Sequence, residues 1–308
     1  MKKVVSGLFL VIVFIAAAVF GVIHFFPEKV VEVCANSERG KAGLRFKSIA
    51  VGELTYAYLE GGTGEPLVLV HGFGANKDNW TRVAEYLAPH FKVIALDLAG
   101  YGESTINFDL DYTITAQADR LHEFVDALDL KSFHLGGSSM GGAISGTYGS
   151  KHQDRVLSLW LIAPGNVLSS EESELGLLLK EGKNPLITQN AEEYKSLIAF
   201  VFEKTPHIPS PILGVFMREA FANKALNDKV FAEIVKEKLS LEDLLAGLAI
   251  PTLVLWGDHD RVLHVSGAGI LCKAMVNASC VIMKNTGHLP MIERPEEAAR
   301  SFLRFHHF

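Results

Sequence analysis

Leu135-Gly136-Gly137-Ser138-Ser139-Met140-Gly141-Gly142 is the stretch on which the fold turns. Ser132-Phe133-His134 before it read as the end of a short strand, and Ala143-Ile144-Ser145-Gly146-Thr147-Tyr148 after it continue as a helix. Residues 137–141 fit G-x-S-x-G, where the chain turns so sharply that the central Ser sits in a strained conformation with its hydroxyl exposed. The flanking glycines avoid Cβ clashes. Ser139 is therefore the candidate nucleophile, with Gly137 and Gly141 supporting the elbow. A Gly/Ser-rich connecting loop would give the same five residues with no chemistry attached, so the surroundings must decide.

Working outward, strands and helices alternate on both sides of this turn. Residues 53–59 read as a strand, with Gly61-Gly62-Thr63-Gly64 as a turn. Leu67-Val68-Leu69-Val70 is a continuous apolar run suited to a central parallel strand, ending at His71-Gly72-Phe73-Gly74. A helix is expected over 80–87, capped by Asp78 or Asn79, and a strand over 92–98 runs into Ala99-Gly100-Tyr101-Gly102-Glu103-Ser104. Ile114, Ala118, Leu121, Val125 and Leu128 recur at helical spacing within 113–128. After a strand over 156–163 the alternation breaks. Residues 169–245 carry amphipathic helical segments and no clear strand, which predicts a helical cap or lid. Strand 252–256, helix 263–275, strand 280–283 and helix 293–305 follow. The pattern predicts an α/β fold with a mostly parallel, doubly wound sheet, its core formed by 49–168 and 246–308.

An activated Ser needs a general base, and the base needs a carboxylate to fix its tautomer. In an open parallel sheet both should come from loops at the carboxyl ends of strands. Gly257-Asp258-His259-Asp260-Arg261-Val262 and Asn285-Thr286-Gly287-His288-Leu289-Pro290 are two such loops, and they give the order Ser139, Asp260, His288. Together with the His71 to Gly74 loop and the 97–104 segment, these motifs make the chain resemble the α/β-hydrolases. Within that fold it is similar to membrane-anchored monoacylglycerol lipases and related bacterial lipases and phospholipases A. The resemblance covers about residues 50–308. It implies a G-x-x-D acid, which selects Asp260 over Asp258, and an oxyanion hole formed by the backbone N–H groups of Phe73 and Met140. His71 and Gly72 then support the oxyanion loop. The substrate class implied is a lipid or other carboxylic ester, cleaved through an acyl-enzyme. Alternatives on the same fold are a small-ester or carbon–carbon bond hydrolase, or a membrane-tethered ligand-binding protein that keeps the triad. Apolar residues of 169–245, including Leu177, Leu178, Phe200, Phe202 and Phe216, would pack the cap or wall an acyl tunnel.

The 308 residues carry a net charge of −6, which argues against a nucleic-acid partner. The histidines show no metal-ligand spacing, and no metal or cofactor is expected. Residues 4–26 form a nearly unbroken apolar run behind Lys2 and Lys3. As a helix it would reach about 34 Å, enough for a bilayer core of about 30 Å. Ala16-Ala17-Ala18 offers a signal-peptide cleavage site, but the run stays apolar beyond it, so residues 1–26 are read as an uncleaved anchor. The N-terminus is expected in the cytoplasm and the catalytic domain outside it, periplasmic if bacterial. Residues 27–48 are expected to be a juxtamembrane connector. Ala17, Ala18 and Gly21 form a small-residue stripe through which two anchors could pair as a homodimer. Cys34, Cys272 and Cys280 lack a CxxC spacing and are read as free or buried thiols.

Overall fold

The computed structural model describes residues 20–308. Eight strands form one sheet in the order β1-β2-β4-β3-β5-β6-β7-β8. They are β1 (Arg45–Val51), β2 (Leu54–Gly61), β3 (Glu65–Val70), β4 (Phe91–Leu96), β5 (Phe133–Ser138), β6 (Val156–Ile162), β7 (Thr252–Gly257) and β8 (Ala278–Met283). β2 runs antiparallel to both its neighbours, and β3 to β8 are mutually parallel.

The apolar runs that look featureless in sequence are sorted by the pleat. Val68 and Val70 of β3 enter one core and Leu67 and Leu69 the other, as period-2 alternation requires of a strand covered on both faces. Val254 and Trp256 of β7 are divided from Leu253 and Leu255 in the same way. Over the first face lie α3 (Ile114–Ala127), α4 (Met140–Lys151) and α10 (Ser266–Ala274); over the second lie α2 (Thr81–Leu87) and α12 (Pro295–Phe305). Thr113 caps α3 by accepting from the Ala116 N–H, and the helix then buries Ile114, Ala118, Leu121, Phe124 and Val125. Phe124 packs on Tyr56 and Tyr58 with ring centroids 5.4 and 5.6 Å away, so truncation to Ala should cost about 3–5 kcal/mol.

Between β6 and β7 stand α5 (Glu174–Lys180), α6 (Ala191–Val201), α7 (Ser210–Ala222), α8 (Lys224–Lys236) and α9 (Leu241–Leu244). Phe202 joins Leu175, Val201 and Val262 in a small separate core, Phe200 and Phe216 are half-buried, and Leu177 is exposed. A short α11 (Pro290–Glu293) precedes α12.

Three features differ from or add to what the sequence showed. First, the stretch 27–48, expected to be a juxtamembrane connector, holds α1 (Pro27–Lys41) and the start of β1. Pro27 opens the helix, Glu28 lies in its first turn, and Arg39 and Lys41 lie in its last, as the helix dipole favours. No α1 residue is buried. The helix's ion pairs to the rest of the chain are the part-buried Arg39–Asp78 and the more exposed Arg82–Glu38 and Arg218–Glu28, and a hydrophobic pattern could not reveal it. Second, Cys272 and Cys280 are joined in a disulfide tying α10 to β8, whose Cα atoms lie 6.3 Å apart; only Cys34 is free. Third, the turn before α2 is capped by Asn76, which accepts from the Asp78 N–H, rather than by Asp78 or Asn79. The anchor assigned to 4–26 and the pairing residues Ala17 and Ala18 fall mainly outside the described residues. Among the described residues no helix is long and apolar enough to cross a membrane.

Candidate active site

All the chemistry-bearing residues converge on the carboxyl ends of the parallel strands, where backbone groups beyond the last ladder bond are free to take other partners. Ser139 follows β5 with φ 56° and ψ −120° and precedes the first residue of α4. Only a tight approach of neighbouring backbone sustains this geometry. A Cβ on Gly137 would lie 2.1 Å from the Gly141 carbonyl oxygen, and one on Gly141 would lie 2.2 Å from that of Val70. The elbow is therefore wedged between its own helix and β3. The Ser139 N–H donates to the Ile162 carbonyl, while the Ser139 carbonyl accepts from Gly142, Ala143 and Gly165.

The structure brings His288 and Asp260 together. The His288 Nδ1–H donates to Asp260 Oδ2 at 2.8 Å, with both side chains buried. Asp260 Oδ1 accepts from the N–H groups of Val262 and Leu263 at 2.8 and 3.0 Å, so both carboxylate oxygens are engaged. This fixes the imidazole with Nε2 as its free base. Asp258 faces elsewhere, accepting weakly from the Thr286 N–H and lying 3.5 Å from the Lys284 ammonium. Among the described residues the Ser139 hydroxyl makes no hydrogen bond.

On the other side of Ser139, Gly72 packs so closely that an added Cβ would lie 3.1 Å from that of Ser139. The Phe73 N–H donates to no group among the described residues. Met140 opens α4, and its N–H is one of the four that a helix start leaves unpaired. His71 is fully buried; its Nδ1–H donates to the Gly72 carbonyl at 2.8 Å and its Nε2 accepts from the Leu98 N–H at 3.0 Å. Burial holds its pKa below the ordinary histidine value, partly offset by the Asp97 charge. Among the described residues no cluster of three or more His, Cys, Asp or Glu could hold a metal ion.

Sequence reasoning missed Glu293, Val201 and Lys77. Glu293 accepts from the N–H groups of Gly287, Glu203 and Lys204 at 3.0, 3.2 and 3.1 Å, clamping the His288 loop to the end of α6. The His288 N–H itself donates to the Val201 carbonyl at 2.9 Å. Gly287 allows this, since a Cβ there would lie 2.7 Å from the Val201 oxygen and the Glu203 nitrogen. Lys77 forms a buried pair with Asp97, the residue after β4. A carboxylate one turn beyond a candidate base was a usable signal for Glu293; nothing in the spacing marked Val201.

A family model for the alpha/beta hydrolase fold matches residues 65–186. Lipase 3 of Moraxella sp. (strain TA144) is 38% identical over 275 residues, spanning 87% of this chain and 86% of that one. The chain belongs to the α/β-hydrolase family. Within it the hydrolase is also similar to monoacylglycerol lipase ABHD6 of Rattus norvegicus, 33% identical over 250 residues and covering 78% of this chain and 74% of that one. A crystal structure of a membrane phospholipase A, described as a novel bacterial virulence factor, superposes with a TM-score of 0.90 at 40% identity, covering 100% of this chain and 98% of that one. The hydrolase is thus a serine ester hydrolase related to lipases.

Proposed function

We propose that the protein is a membrane-tethered lipase that cleaves acyl esters of membrane-derived lipids through an acyl-enzyme on Ser139. The observation that carries this reading is the buried Asp260–His288 pair, whose loops follow β7 and β8 at the same carboxyl end of the sheet as the strained, part-exposed Ser139 after β5. His288 Nε2 takes the Ser139 hydroxyl proton as Oγ attacks the ester carbonyl carbon. The tetrahedral oxyanion is held by the N–H groups of Phe73 and Met140, where one donor is worth about 10² to 10³ in rate. Collapse breaks the bond to the alcohol oxygen, which receives the proton from the His288 imidazolium. Water then attacks the acyl carbon, giving its proton to His288, and the carboxylic acid leaves as Ser139 regains its hydrogen. Asp260 stabilises the imidazolium in both halves.

Residues 169–245 serve in this reading as a cap over the site, and residues 4–26 as the anchor, with Ala17, Ala18 and Gly21 available for pairing. The Cys272–Cys280 disulfide favours a catalytic domain in an oxidising compartment, consistent with an exported domain behind Lys2 and Lys3. Tethering spares the substrate a passage through water, where each exposed CH₂ costs about 0.8 kcal/mol. Removal of residues 1–26 is expected to leave turnover of a short nitrophenyl ester within about twofold while lowering turnover of vesicle phospholipid or monoacylglycerol at least about tenfold, since the tether sets the local substrate concentration. Equal loss on both substrates would assign the segment to folding or assembly, and equal retention would reject lipid delivery.

A further inference from the structure

We propose that Lys77 and Asp97 are positioning residues that aim the Phe73 N–H at the reacting carbonyl by acting through His71. The proposal rests on the reading of Phe73 as an oxyanion donor. Asp97 follows β4 and is fully buried. Its Oδ1 accepts from the Lys77 N–H at 2.7 Å, and its Oδ2 from the Lys77 ammonium at 2.7 Å and the Glu103 N–H at 2.9 Å. The Lys77 side chain is 2% exposed and that of Asp97 0%. Two ions out of water persist only where geometry and extra hydrogen bonds repay desolvation, and the pair has both. Burial alone would lower the Lys77 pKa; the charges and hydrogen bonds of Asp97 and Glu103 overcome it and raise it.

The next residue along, Leu98, donates its N–H to His71 Nε2. An accepting Nε2 places the ring hydrogen on Nδ1, and Nδ1–H donates to the Gly72 carbonyl, which also accepts from the Ala75 N–H at 3.3 Å. The 72–73 peptide is trans, so its carbonyl and N–H point in opposite directions. Fixing the Gly72 oxygen therefore fixes the direction of the Phe73 N–H. Segment 71–77 is thus pinned at both ends to 97–98, by His71 on Leu98 and by Lys77 on Asp97. Tyr101 packs edge-on against His71 at 5.3 Å and closes the brace.

The test uses the full chain, with active sites titrated by a fluorophosphonate. Lys77→Met/Asp97→Leu removes both charges together and so avoids leaving one buried ion unpaired. Its kcat per titrated site on a short-chain ester should fall about 10- to 100-fold with KM within about twofold, because only transition-state stabilisation is lost. Affinity for a trifluoromethyl ketone, whose adduct carries a real oxyanion, should fall in the same proportion. Asp97→Asn keeps the side chain's shape and one acceptor oxygen and leaves the Lys77 ammonium paired with Glu103 at 2.7 Å; its kcat per titrated site should lie between wild type and the double variant, and it decides the matter if the double variant does not fold. A pair that only stabilises the fold would lower the melting temperature and the number of titratable sites while leaving kcat per site unchanged, and that result overturns the proposal. Wild-type protein that the fluorophosphonate fails to label would remove the serine-hydrolase reading itself, which is a separate failure.

Discussion

Ser139 occupies a backbone conformation that costs a non-glycine residue about 1–3 kcal/mol, and the molecule sustains it because Gly137 and Gly141 let three chain segments touch. The same logic of over-determination applies to Asp260, whose two oxygens take three donors, while Asp258 has only long contacts, from the Thr286 N–H and the Lys284 ammonium. Asp260→Asn is therefore expected to lower kcat by about 10³ to 10⁴ with the fold intact, since the amide leaves the imidazole without its charge partner. Asp258→Asn should stay near wild type in the same esterase assay, and the reverse ranking would reassign the acid. At this scale much of the candidate site was legible, because Ser139, Asp260 and His288 each sit in a loop whose motif calls for that residue type. Lys77 and Glu293 were not, because a buried lysine and a loop-bracing carboxylate look like ordinary surface charge until the chain is folded.

Among the elements, α12 shows how the far end of the sheet is closed. His306 at its end contacts the Ser158 hydroxyl, which also meets His134 Nδ1, and His134 Nε2 reaches Glu65. Burial, with His134 and His307 adding like charge against an opposing pull from Glu65, holds the His306 pKa down at about 4 against an ordinary value near 6.5. Between those values the unfolded chain binds more protons at this residue than the folded one, so stability is lost as pH falls from about 6.5 to about 4. Thermal melts across that range should fall less steeply for His306→Gln than for wild type; parallel curves would show that His306 does not contribute. The strands and most helices follow from periodicity, as Leu67 to Val70 and Ile114 to Val125 illustrate. α1 did not, because its mixed charges, paired with Asp78, Arg82 and Arg218, resemble a solvated linker. The disulfide was equally hidden, since two cysteines eight residues apart meet only when α10 folds back beside β8.

Across the whole molecule, the parallel sheet gathers His71, Ser139, Asp260 and His288 at one edge from segments spread over more than two hundred residues. The helices between β6 and β7 then reach that edge, with the carbonyl of Val201 and the N–H groups of Glu203 and Lys204 holding the His288 loop. This dependence of the His288 loop on the helices between β6 and β7 was not visible in sequence, because it is carried by backbone atoms that every residue possesses. The alternation of strands and helices announced the sheet, and the loss of alternation after 168 announced the helices, but not their contact with His288. Mass spectrometry of tryptic peptides after brief exposure of the full chain to a fluorophosphonate tests the central claim most directly. The account predicts one added phosphonyl group on Ser139, absent in Ser139→Ala and strongly slowed in His288→Ala. Labelling at another serine, or labelling of Ser139 at the same rate in the His288 variant, would contradict it.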